Sequence, residues 1–170
     1  MSNLNLSNKI LPGVSAGGYT IGLKLSSYKE LSSAIEINTT QKSIGQILSD
    51  SQGWMFYRRC SEDRNTLSET SYYYKDNIVR LVFNANQLLH AIYLADGYQG
   101  EVFDSIKIHS NLSDLEKIFD VEYDDCEEMY YPSNLSGISG IEFYLSKYLV
   151  DKSIQDREIL MICIYNWDLG

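Results

Sequence analysis

Residues 120 to 132 read DVEYDDCEEMYYP, and six of the first nine positions are carboxylates: Asp120, Glu122, Asp124, Asp125, Glu127 and Glu128. Carboxylates at this density can cradle a cation, sit in water as a solvated loop, or oppose a cationic surface. A calcium loop of the EF-hand type needs a glycine at its sixth position and a glutamate at its twelfth. Counted from Asp120, those positions are Asp125 and Tyr131, so the calcium pattern fails. As a solvated loop the six charges repel one another, at a cost that water and salt screen. As a docking patch they do more, because Tyr123, Tyr130 and Tyr131 are interleaved with them. Tyrosine buries a large apolar ring and keeps a hydrogen-bonding tip, which makes it a frequent anchor of protein interfaces. Charge then speeds encounter and the rings slow release.

No other stretch competes for chemistry. The sequence has no GxGxxG, P-loop, HExxH or CxxC motif. Its two histidines, His90 and His109, have no cysteine or histidine at ligand spacing. His90 lies in an apolar segment and reads as a packing residue, and His109 reads as a turn residue. Cys163 lies in an apolar run, where a thiol behaves as a small hydrophobe. A nucleophile drawn from Cys60, Cys126 or Cys163 with His90 stays open as a hydrolase alternative. The expectation is a protein without catalysis, cofactor or metal.

The formal charge of −9 is unevenly spread. Residues 1 to 100 carry nine Lys and Arg against eight Asp and Glu, whereas residues 101 to 170 carry five against fifteen. An acidic second half repels phosphate backbones and attracts a basic partner. Three cysteines without close pairing argue against a disulfide framework and for a reducing compartment. With no signal-like or 18-residue apolar run, the expectation is a soluble cytosolic protein.

A chain of 170 residues with 44% apolar content can bury the core of one domain, spanning 1 to 170. From Gly53 the apolar period becomes two. GWMFYRRC, TSYYYKD, NIVRLVFN and QLLHAIYLA read as strands of an antiparallel meander, linked by SEDRN, DN and NAN. Alternation in SYYYK sends Tyr73 opposite to Tyr72 and Tyr74, which makes this strand a second candidate face. QKSIGQILSD is a weak helical pattern interrupted by Gly45, KSIQDREI reads as a loop or short helix, and ILMICIYNW reads as a central strand.

IHSNLSDLEKI, starting at Ile108, aligns without a gap on IGLKLSSYKEL, starting at Ile21, at an offset of 87 residues. In each copy a strand leads through a turn to a leucine, a serine expected to cap a helix, and an amphipathic segment; Ser26 is the expected cap in the first. The fold class expected is α+β, an antiparallel sheet with a few helices, with two related strand-turn-helix modules within residues 1 to 96 and 97 to 170.

LPGVSAGGYTIGLKLSSYKEL, then IYLADGYQGEVFDSIKIHSNLSDLEKIF leading into the acidic segment, and SGISGIEFYL resemble the immunity proteins of bacterial contact-dependent growth inhibition and related polymorphic toxin systems. The resemblance covers less than half of the chain. It implies a cytosolic protein that binds one cognate toxin C-terminal domain, basic and often a nuclease, and blocks it without chemistry of its own. Partner-binding residues would be Asp120, Glu122, Tyr123, Asp124, Asp125, Glu127, Glu128, Tyr130 and Tyr131. An adaptor that recognises a basic protein segment shares these features and stands as the alternative.

Overall fold

The computed structural model describes residues 3–38, 43–60, 67–147 and 156–169. Its centre is a nine-stranded sheet in the order β3-β4-β5-β6-β7-β11-β10-β9-β8. The strands are β3 Ile35–Glu36, β4 Trp54–Cys60, β5 Leu67–Tyr74, β6 Val79–Asn84, β7 Leu89–Leu94, β8 Val121–Asp124, β9 Met129–Pro132, β10 Ile141–Leu145 and β11 Ile159–Tyr165. A small hairpin, β1 Ser15–Ala16 with β2 Tyr19–Thr20, lies outside it. All sheet neighbours are antiparallel except β3 and β4. The expected α+β class and the expected meander are therefore present, and ILMICIY runs through the middle of the sheet. The turn expected at SEDRN and residues 152 to 155 of KSIQDREI lie outside the described residues.

Alternation decides which side of the sheet carries the main core. Val79, Leu81 and Phe83 on β6, Ile92 and Leu94 on β7, Ile162 and Ile164 on β11, and Ile141, Phe143 and Leu145 on β10 share one buried cluster. Two other elements cover that side: a pair of 3-10 turns, Leu25–Ser27 and Lys29–Ser33, and helix α2, Leu112–Glu116. Both insert apolar side chains, Leu31 from the first and Leu112 and Leu115 from the second. The opposite side carries a thinner cluster of Val82, Ala91, Met129 and Cys163, with Tyr93, Tyr144, Met161 and Tyr165 packed around it. Helix α1, Ile44–Ser49, covers this side only over β4 and β5, through Ile44, Ile47 and Leu48 against Met55, Tyr57 and Tyr73. Ser43 and Gln46 form a capping box that starts this short helix despite Gly45.

Three local expectations are corrected. Ser26 caps no helix, because the segment breaks at Tyr28, whose φ of −114° and ψ of 84° leave the helical region. Tyr28 is held there by tertiary bonds: its hydroxyl accepts from Thr20 N–H at 3.0 Å and donates to the Thr20 carbonyl at 2.9 Å. In the second copy the residue that caps α2 is Asn111, not Ser113, and Asp114 reaches back to its N–H at 3.1 Å. Finally, SYYYK offers no open face, since Tyr72 joins the main core and Tyr73 lies buried under α1.

The offset of 87 residues corresponds to matching hydrogen bonds. Gly22 and His109 donate to the carbonyls of Leu89 and Ile159, Leu23 and Ser110 accept from the same two residues, and Leu25 and Leu112 donate to Gln87 and Arg157. Both turns need the left-handed conformation, at φ +86° for Gly22 and +71° for His109. Strands repeat as well. β6 on β7 runs Val79↔Leu94 to Phe83↔Leu89 with a bulge after Val82; β10 on β11 runs Ile141↔Ile164 to Leu145↔Ile159 with a bulge after Tyr144. Where β7 meets β11, Ile92↔Ile164 and Leu94↔Ile162 flank a central Tyr93↔Cys163 pair. A pseudo-twofold axis thus passes through the Tyr93 and Cys163 pair and relates β4-β5-β6-β7 to β8-β9-β10-β11.

Candidate functional site: an acidic edge hairpin

The acidic stretch folds into β8, a turn and β9, and β8 is the last strand of the sheet. A free edge is a template for unwanted strand pairing, and charges placed along it oppose that. The turn is built by the stretch itself: the Asp124 carboxylate accepts from Cys126 N–H at 2.7 Å and Glu127 N–H at 3.3 Å, and Glu128 takes φ +55°.

The hairpin then sorts the nine predicted residues into four places. Glu122 and Asp124 point to the thinly covered side with Tyr131, whose hydroxyl donates to Glu122 at 3.2 Å. Tyr123 and Tyr130 face each other on the opposite side, with ring centroids 4.7 Å apart. Arg157 crosses the Tyr130 ring at 5.3 Å and donates to its hydroxyl at 2.7 Å, so Tyr130 is engaged within the chain while Tyr123 stays 46% exposed. Asp125, Glu127 and Glu128 stand exposed on the turn, and Asp120 is exposed just before β8. None of the six carboxylates forms an ion pair among the described residues.

Sequence reasoning missed three neighbours on the thinly covered side. Glu142 on β10 accepts a hydrogen bond from the Tyr165 hydroxyl. Its carboxyl is held above the usual range first by burial, against the Tyr165 bond, and then by repulsion from Glu127 and Asp124. Tyr165 in turn stacks on Trp167, with centroids 4.5 Å apart. The signal was present in IEFYL: with Ile141, Phe143 and Leu145 facing the core, Glu142 and Tyr144 must face the other way.

The histidines and cysteines are placed differently. His90 is buried beside Trp167 and its pKa is lowered by burial, whereas His109 bridges Asp96 at 3.0 Å and Glu158 at 3.5 Å on the surface. Cys163 is buried, and burial pushes its thiol pKa up, which opposes thiolate formation. Cys60 and Cys126 are exposed. Among the described residues no group of three or more His, Cys, Asp and Glu side chains is arranged to hold a metal ion. No helix among them is long and apolar enough to cross a membrane. No protein-family model, curated protein or solved structure matches this chain.

Proposed function

We propose that this chain is an immunity-type protein that neutralises a basic bacterial toxin domain, such as a nuclease, by stoichiometric binding in the cytosol through its acidic edge hairpin. The observation that carries this reading is the exposed turn carrying Asp125, Glu127 and Glu128 beside Glu122 and Asp124, none of which forms an ion pair among the described residues. Such a surface costs self-repulsion in the free protein and recovers it when lysines and arginines that would hold phosphates are laid against it. Tyr123 and Tyr131 supply apolar contact on the two sides of the hairpin.

Titration against the toxin domain encoded beside this chain tests the reading. Salt should weaken association, and Asp125→Lys with Glu127→Lys should weaken it at least about tenfold, while Glu116→Lys on the exposed end of α2 should change it less than about threefold. Equal effects at both places would reduce the hairpin to a solvated edge. Co-purification separates an immunity protein, which holds a single tight partner, from an adaptor that accepts several basic segments.

A further inference from the structure

The thinly covered side of the sheet ends in a groove that the hairpin does not account for. Two clefts, of about 430 Å³ and 220 Å³, share Ser139, Gly140 and Tyr165 and so run into one another. Their wall is made where two loops touch: Gly13 N–H donates to the Gly140 carbonyl at 2.9 Å, and the same carbonyl accepts from Tyr165 N–H at 3.1 Å. Along the groove lie Asp168 and Trp167 at one end, Tyr165 and Glu142 in the middle, and Tyr131 and Asp124 at the other. Trp167 is 50% exposed. Three carboxylates and three aromatic rings line it, and no lysine or arginine does among the described residues.

The internal repeat shows what such a lining accepts. In the first half Arg80 occupies the register position that Glu142 holds in the second. Its guanidinium lies 4.9 Å over the Tyr93 ring and 5.5 Å over the Tyr73 ring, and it reaches Glu69 at 3.6 Å. The first half thus supplies its own cation to a nest of rings and a carboxylate on this side. In the second half Tyr131 holds the register position of Tyr73, Cys163 takes that of Tyr93, and the cation is replaced by Glu142. A cationic side chain is attracted to aromatic faces and to a partly desolvated carboxylate at once. Phosphate-bearing ligands are repelled by the same lining.

We propose that this groove seats an extended, arginine- or lysine-bearing segment of a protein partner, its cationic side chain lodging beside Glu142 against Tyr165. The proposal rests on the reading that the partner is basic. It adds a second contact, distinct from the hairpin turn, at which the partner's chain is gripped rather than only steered.

The probe is an alternating arginine and glycine peptide, titrated at low ionic strength into the whole isotope-labelled protein and followed by backbone and indole NMR signals. Saturable shifts are expected at the Trp167 indole and at the amides of Gly140, Glu142 and Tyr165. Glu142→Gln with Asp168→Asn should weaken binding at least about tenfold, and Asp125→Asn with Glu127→Gln and Glu128→Gln less than about threefold. A matched glutamate and glycine peptide should produce no shifts. Shifts confined to residues 125 to 128 would overturn the groove and leave the hairpin reading standing, and so would equal weakening by both variants. Absence of any saturable shift with the arginine peptide also overturns the groove, while titration with the toxin domain independently judges the hairpin.

Discussion

Glu142 and His109 show how the same sheet prices two ionisable groups in opposite ways. Burial raises the carboxyl pKa of Glu142, so the folded chain holds its proton more tightly than the unfolded chain does. Stability then falls as pH rises from the ordinary carboxyl value through the raised one, and at neutral pH the charge is a burden on the fold. Glu142→Gln is therefore expected to raise the melting temperature at pH 7, with the gain shrinking as pH falls below the ordinary 4.5. Thermal scans at both pH values check this; a lower melting temperature at pH 7 would show that the Tyr165 bond outweighs burial. His109 runs the other way, its pKa raised first by the hydrogen bond to Asp96, against desolvation, and then by the charges of Asp96 and Glu158. Its contribution is present below the ordinary imidazole pKa and fades as pH rises through the raised one. NMR titration should place its midpoint above 6.5, and Asp96→Asn should bring it down.

Among the elements, the contact of Gly13 with Gly140 is the one that shapes the groove. Gly140 sits at φ +72°, and a Cβ there would stand 2.7 Å from Gly13 Cα and 2.8 Å from the Tyr165 carbonyl. Gly140→Ala thus adds backbone strain of about 1–2 kcal/mol to a clash with backbone that cannot swing away. Denaturant unfolding should show a loss of at least that size. The Trp167 indole signal should move as the loops part, and an unmoved indole would mean that the contact does not define the groove. Strand identity was legible from alternation alone in the four meander segments, whose apolar period is two. What the sequence hid was the partner of each face. Tyr72, Tyr73 and Tyr74 look alike in the chain, yet α1 buries Tyr73, and no local signal says that a six-residue helix will fold back over that strand. Within the acidic stretch the two strands were not read from the sequence, and only the position of β8 at the edge makes the turn project. Tyr28 broke the expected helix through bonds to Thr20 that propensity does not register.

For the whole molecule, the pseudo-twofold axis raises the question of whether the halves are separate folding units. At offset 87 the first turns match by residue type, but the strands match only by register, since Arg80 stands against Glu142 and Val82 against Tyr144. That is why the repeat was visible at Ile21 and Ile108 and nowhere else in the sequence. The axis passes through the β7 and β11 pair, so each half would expose a central strand if it unfolded alone, and Ile92, Leu94, Ile162 and Ile164 would lose cover together. Exposing those four buried side chains to water costs far more than a marginal half-domain could supply. A single cooperative transition is therefore expected. Leu81→Ala and Phe143→Ala occupy equivalent positions in the two halves and should lower it by about 2–5 and 3–5 kcal/mol respectively. Because they lie three strand spacings apart, roughly 14 Å, the double variant should lose the sum of the two. Calorimetry decides the matter: if Leu81→Ala shifts one transition and Phe143→Ala another, the sheet is two units joined at a seam, and the groove beside Glu142 would report on the second half alone.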